Sequence, residues 1–383
     1  MRPLILIFLI AVMPPAIGQE VRRALPVSAQ AEDELAKFLA GVSLPEESPL
    51  SALQKTRDYA AHVAQFARLT RHFDANYFSR MRAWSAAELA PRVAMQAPLF
   101  YFFGGPDAVS ALALYPSAPV YVLGGLEPVG SIAPPLTLAP EALHEGLANL
   151  RKSSEVILSY GHFITKDMKA ELDRSAFRGV LPLVYVFLAF TGAEVVSASY
   201  VGIRPDGAME DFGAVYAGGP GVLPGARIVF RAGASAPLQT MFYVQANVAD
   251  DALKARSALL AWAGGFGRGN VYLKAASYLL HESNFSRIRE FLLSQSSVLQ
   301  DDSGIPFRDF REAGWRCWFF GSYSGVLEIF NKYHQKDLQE AFTTPGIAGP
   351  LPFGTGYKWR PGESHLLLAV RQEIPRAEPA GPP

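Results

Sequence analysis

Several groups of residues in this chain have types and spacing that can do chemistry. Two glycine pairs, Gly104-Gly105 and Gly124-Gly125, are each followed within three residues by an acid, Asp107 and Glu127 respectively. Glycine lets a ligand approach the backbone, and a carboxylate beside it can accept a hydroxyl, hold a cation or move a proton. Asp301 and Asp302 are adjacent in a loop reading LQDDSGIP, a pattern that suits a hard cation or merely solvates a turn. His162 and Lys166 flank Thr165, a helix N-cap, where they can face an anion or lie on a surface loop. Ser277 and His281 share a helical face at i, i+4 but have no third group to make them a nucleophile and base.

Stronger motifs are missing. The chain carries no GxSxG, HExxH, CxxC pair or P-loop, and its seven histidines lack metal-ligand spacing. The glycines of Gly264-Gly265-Phe266-Gly267-Arg268-Gly269 read as a connector, because no P-loop lysine and serine follow them. These motifs assign no cofactor, and Asp301 and Asp302 are the candidates for a metal.

The elements that position these residues can be read around residues 98–130, PLFYFFGGPDAVSALALYPSAPVYVLGGLEPVG. An apolar run without alternation (99–103) reads as a strand covered on both faces. Pro106 and Asp107 open a short helix, Pro116 stops it, and residues 120–123 form a second strand after a crossover long enough to be parallel. The carboxyl ends of parallel strands form the edge at which open α/β sheets bind ligands. Gly104, Gly105, Asp107, Gly124, Gly125 and Glu127 would all sit there as ligand-binding residues, with Asp107, Glu127, His162 and Lys166 the candidates for catalysis. The plainer reading is a tight turn at Gly104–Asp107 and a surface loop at Glu127.

Either side of this unit the period changes. Residues 31–92 are helical, with Leu35, Phe38 and Leu39 at i, i+3, i+4 and an aromatic cluster (Phe73, Tyr77, Phe78, Trp84) that reads as core. Residues 142–158 return to helical spacing, and 180–190 form a buried helix too short to span a bilayer. Residues 195–203, 213–216, 226–230 and 240–248 are strand-like, and short links between them imply antiparallel pairing. A helix is expected over 250–262, and two more over 272–280 and 285–299. Strands follow at 315–323 and 365–371, with an amphipathic helix within 328–342 between them. Residues 354–359 read as a hairpin arm or a lid. The fold expected is α/β: a Rossmann-like, three-layer arrangement with a mixed sheet, parallel at its start and antiparallel among its C-terminal strands, beneath an N-terminal helical layer.

Domain organisation and compartment follow from composition. Residues 1–18 carry one charge, Arg2, then an apolar core and small residues, as a signal peptide does. Residues 19–95 form the helical segment, 96–374 the α/β domain, and 375–383 a Pro-rich disordered tail. The mature chain is expected to be exported, periplasmic or extracellular, and soluble, with no stable membrane span after signal cleavage. With 35 acidic and 35 basic residues it has no field to draw nucleic acid, and a small-molecule or protein partner is left open. The lone Cys317 can form no intrachain disulfide, and it sits in an apolar run that reads as strand.

The strand, glycine loop, helix, strand and terminal acid of residues 99–127 resemble the opening of a class I methyltransferase or related Rossmann-like fold. Gly104-Gly105-Pro106 stands where those enzymes carry GxGxG. The resemblance implies a nucleoside-type pocket with Glu127 on ribose hydroxyls. The mature chain, with its GGPD, GLEPVG and LQDDSGIP segments, is also similar to a family of exported bacterial proteins, which implies no activity. Three functions stay open: a binding or structural protein of the cell envelope, a metal-assisted or carboxylate-based hydrolase, and a diverged methyltransferase-like fold.

Overall fold

A computed structural model describes residues 28–160, 175–255, 258–311, 314–360 and 362–372. The expected leader (1–18), His162, Lys166 and the 375–383 tail lie outside the described residues.

The N-terminal layer is helical, as its periodicity requires. Helix α1 (Ala29–Leu39) starts at Ser28, whose hydroxyl accepts the Ala31 N–H at 3.2 Å. Helix α2 (Arg57–Phe73) starts at Thr56, which caps Tyr59 at 3.3 Å, with Asp58 in its first turn and Arg71 and His72 in its last. Its axis continues through π-helical turns at Asp74–Phe78 and Ser85–Leu89, and the aromatic cluster of Phe73, Tyr77, Phe78 and Trp84 is buried. Further helices are α3 (Ala108–Leu114), α4 (Pro140–Tyr160), α5 (Leu181–Phe190), α6 (Asp250–Ala255), α7 (Ala258–Gly264), α8 (Ser286–Leu293) and α9 (Lys336–Thr343).

Two polar residues fasten the layer from within. His62 is fully buried, its Nε2 3.1 Å from the Leu39 carbonyl and its Nδ1 2.9 Å from an Arg151 amine, so that α1, α2 and α4 meet at one ring. Burial and the Arg151 charge hold its pKa down to about 4. Glu32 accepts the Tyr185 hydroxyl at 2.5 Å, which joins α1 to the buried α5.

The strands are β1 (Leu99–Tyr101), β2 (Val120–Gly125), β3 (Ser131–Ile132), β4 (Phe177–Arg178), β5 (Glu194–Ile203), β6 (Met209–Gly213), β7 (Leu223–Arg231), β8 (Gln239–Gln245), β9 (Asn270–Leu273), β10 (Ser297–Gln300), β11 (Trp315–Gly321), β12 (Ala348–Gly349) and β13 (His365–Arg371). Among the described residues, eleven of them form one sheet in the order β12-β11-β13-β10-β9-β1-β2-β8-β7-β5-β6, and β3 pairs β4 apart from it. The five central strands, β10 to β8, are parallel, and antiparallel pairs flank them on both sides. The molecule is therefore α/β with a large mixed sheet.

Both faces of the sheet are covered. Leu99, Tyr101, Tyr121 and Leu123 point into one apolar core with α1, α3 and α5, while Phe100, Val122, Val271 and Val298 point into another with α8. Strands buried on both sides need no alternation, which is why residues 99–103 are continuously apolar.

The structure corrects three expectations. Residues 270–273 and 297–300 are central strands, where helices were expected to cover 272–280 and 285–299; a 3₁₀ turn (Ala276–His281) and α8 account for the helical spacing beside them. Four-residue strands buried on both faces show no period of their own, so their neighbours' period dominates the window. Because β9 and β10 join the parallel centre, the parallel part is not confined to the start of the chain. The strand expected over 213–216 is β6, which ends at Gly213.

Candidate functional site

The parallel strands β10, β9, β1, β2 and β8 deliver their carboxyl ends to one edge, and antiparallel β13 returns its first residue, His365, to the same place. From β1 the chain passes to β2, runs out to β5 and β6 at the sheet edge, returns through β7 to β8 beside β2, and then crosses to β9 and β10 on the other side of β1. The reversal leaves a crevice between the ends of β1 and β9, the position at which open sheets of this kind bind ligands.

Two side chains of this chain fill that crevice. Asp107, which caps α3 through the Ser110 N–H at 3.3 Å, meets the Lys274 ammonium at 2.8 Å, and the two are only 2% and 4% exposed. The Tyr101 hydroxyl donates to Asp107 Oδ2 at 2.8 Å, and Lys274 Nζ donates to Ser110 Oγ at 3.0 Å. Asp107 is thus a neutralised structural carboxylate. Burial, followed by the Asp107 charge, pushes the Tyr101 hydroxyl well above its ordinary pKa, so it remains a donor.

The glycine pairs lie against each other. The Gly105 N–H donates to the Gly124 carbonyl at 2.9 Å, and Gly105 takes a φ of 51°, a conformation that is strained for a residue with a side chain. A Cβ on Gly104 would come within 2.5 Å of the Tyr101 ring. A Cβ on Gly125 would come within 2.3 Å of Glu127 Oε2 and 3.0 Å of Gly105 Cα. The space the glycines leave is occupied by neighbouring chain and by the Glu127 carboxylate, which folds back over them.

Glu127 itself is 4% exposed, and its Oε2 has no hydrogen-bond partner. The Tyr243 hydroxyl, at the end of β8, donates to the Glu127 backbone carbonyl at 2.7 Å. Burial, then the Glu127 charge and a hydrogen bond to its carboxylate, hold Tyr243 well above its ordinary pKa, while Glu127 Oε2 itself is left without a partner. A buried carboxylate oxygen without a donor is costly, so Glu127 is the one of these acids whose hydrogen bonding is left incomplete.

Beyond β9 the edge closes over Asp301 and Asp302, which directly follow β10. Asp301 accepts from the Ala275 N–H at 2.9 Å and from Ser303 N–H and Oγ at 2.9 and 2.5 Å. Ala275 takes a φ of 57° without being glycine, and this strained turn aims its N–H at the carboxylate. Asp302 accepts the Tyr278 hydroxyl at 2.6 Å and lies 3.3 Å from His365 Nε2. Burial and the neighbouring Asp302 raise Asp301 to about 6. Burial works to raise Asp302 as well, but the bond and charge of His365 outweigh it and hold that carboxyl below its ordinary value. The pair borders a narrow cleft of about 10 Å³, room for about one water, with Thr355, Tyr357 and Lys358, where Thr355 and Lys358 close the expected hairpin in an antiparallel bridge.

Among the described residues no group of three or more His, Cys, Asp or Glu side chains is placed to hold a metal ion. The oxygens of Asp301 and Asp302 are engaged as described. Cys317 is half-buried on β11, and burial pushes its thiol up to about 11, so it stays protonated. Among the described residues no helix is long and apolar enough to cross a membrane.

The edge brings together Gly104, Gly105, Asp107, Gly124, Gly125 and Glu127, and it also holds Asp301 and Asp302. Lys274, Tyr278 and His365 were not expected there. Lys274 follows the run Asn270–Leu273, and reading that run as a strand would have placed the lysine at a carboxyl end. Comparison of the chain with family models, curated proteins and solved structures finds no match.

Proposed function

We propose that this chain is an exported cell-envelope binding protein on a Rossmann-like sheet, with a seat for a hydroxyl-bearing small molecule of nucleoside type at Glu127. The observation that carries this reading is the unpartnered, buried Glu127 oxygen at the carboxyl end of the second parallel strand, between the two glycine pairs. Ribose-type hydroxyls would supply the donors that this oxygen lacks.

The winding of the sheet supports the same reading. Numbered by their succession along the chain, the central strands lie in the order 3-2-1-4-5, with antiparallel β13 inserted before β11, an arrangement similar to that of class I methyltransferases. Binding without reaction is favoured because Asp107, Asp301 and Asp302 spend their oxygens on internal partners. A carboxylate-based hydrolase needs at least one of these acids free to reach a substrate. Glu127 is closed over, so entry requires the turn carrying exposed Leu126 to move.

The test is calorimetric titration of the purified mature protein with adenosine, 2′,3′-dideoxyadenosine and adenine. Adenosine is expected to bind, with the dideoxy compound and the Glu127→Ala variant each weaker by about tenfold or more, the worth of a charge-assisted hydrogen bond. Equal binding of adenosine and its dideoxy analogue, or no binding of either, overturns the reading.

A further inference from the structure

A second cavity lies outside the Glu127 seat, and its chemistry is different. It is an open groove of about 340 Å³ between the turn after β10 and the segment leading into α9, lined by His281, Arg308, Lys332, Tyr333, His334 and Lys336, among others. In a chain with equal numbers of acidic and basic residues, this is a local excess of cations. Asp337 also lines the groove and lies 3.8 Å from Arg311, which stands outside it. Lys332 pairs with Glu282 at 2.6 Å, and Arg308 is 73% exposed with only a long 3.7 Å approach to Asp309. The Lys336 ammonium has no ion pair among the described residues.

The groove is also held in shape. Gln335, in its wall, accepts the Phe307 N–H at 2.6 Å and donates to the Asp302 carbonyl at 3.1 Å, so its amide braces the segment against the end of β10. Tyr333 stacks on Tyr278 at 5.1 Å, which gives the groove a fixed aromatic wall. His281 has a buried Nε2 with no hydrogen-bond partner, and burial keeps its imidazole neutral, with a pKa near 4. A preformed cavity of this size, with an aromatic side, cations along its lining and a neutral imidazole in its wall, has the makeup of a small-molecule site.

We infer that this groove binds the phosphate ester of a small hydroxylated molecule, with the phosphate on Arg308, Lys332 and Lys336 and the hydroxylated body against Tyr333 and His281. Phosphate fits better than carboxylate because Arg308 and Lys336 line one cavity beside the Glu282-paired Lys332, and a phosphate presents more charge and more acceptor oxygens to them than a carboxylate does. The body lies against Tyr333 in an open groove, where hydroxyls keep their contact with water and an apolar body would be left exposed. This site is independent of the Glu127 seat and survives if that seat fails.

The experiment is calorimetric titration of the full mature chain with glycerol 3-phosphate, glucose 6-phosphate, inorganic phosphate and glycerol. Both esters are expected to bind, tighter than inorganic phosphate, while glycerol does not. Arg308→Glu and Lys336→Glu are exposed changes that leave folding intact, and each should weaken the esters by about tenfold or more. Raising salt from about 0.05 M to about 0.5 M should weaken them further, whereas Glu127→Gln should leave them unchanged. Tighter binding of inorganic phosphate than of either ester would overturn the hydroxylated body. No ester binding at millimolar concentration, or binding indifferent to both charge reversals, would overturn the site.

Discussion

Replacing Lys274 by methionine tests the reading of the sheet reversal as closed from within. The lysine is 4% exposed, and its ammonium lies 2.8 Å from Asp107 and 3.0 Å from Ser110 Oγ. Methionine retains most of the stem and removes the charge, which strands a carboxylate that is itself only 2% exposed. Breaking a buried pair from one side costs about 3–5 kcal/mol. Asp107 keeps the Tyr101 hydroxyl and the Ser110 N–H, so the lower end of that range, about 3 kcal/mol, applies here. Asp107→Asn in the same background removes the stranded charge and keeps the acceptor for the α3 cap. The double variant should therefore recover about 2 kcal/mol, and a double-mutant cycle should give a coupling of that size. Urea unfolding of the wild type, both single variants and the double variant measures all four corners. A loss below about 1 kcal/mol for Lys274→Met, or additive single losses, would refute the argument, because it would mean that water or another group reaches the pair.

Three further outcomes follow from other groups. Glu127→Gln, in the absence of ligand, should leave stability equal or raise it by about 1–2 kcal/mol, because it removes a buried charge with an unpartnered oxygen; clear destabilisation in urea would show that the oxygen has a donor. Glu32 is 2% exposed and burial raises its pKa from 4.5 to about 7, against the smaller opposing effect of the Tyr185 bond. The folded state then holds the extra proton between those values, so this group's contribution is fully present below pH 4.5 and is lost as pH rises through about 7. The loss is about 3 kcal/mol, and Glu32→Gln should remove it from the difference between the two stability–pH curves; parallel curves from pH 4 to about 8 would sink the idea. Ala275→Gly should raise stability by about 1 kcal/mol, since relief of the positive φ outweighs the added freedom of the unfolded chain, and a fall in the thermal midpoint would contradict it.

What could be read from the sequence was local. The β1–α3–β2 unit is contiguous, and each signal in it lies beside the structure it specifies: the apolar run of β1, the carboxylate of Asp107 at the helix start, and the glycines at the strand ends. The buried α5 and the aromatic cluster of the N-terminal layer were legible for the same reason, since their spacing is set within one turn or one helix. Strands β9 and β10 were not legible, because four residues buried on both faces have no period, and only pairing with β1 and β13 makes them strands. The candidate site divides along the same line. The sequence by itself determined that Gly104, Gly105, Asp107, Gly124, Gly125 and Glu127 belong to two successive strand ends. Tertiary structure decided what each of them does. Lys274 reaches Asp107 only because the chain crosses back beside β1, and that ion pair fills the crevice, while Glu127 receives Tyr243 but no cation and keeps Oε2 without a donor. A carboxylate's role depends on which donors the fold brings within about 3 Å of it; Tyr101, Ser110 and Ser303 are local, but Lys274 on Asp107 and Ala275 on Asp301 come from segments distant in sequence.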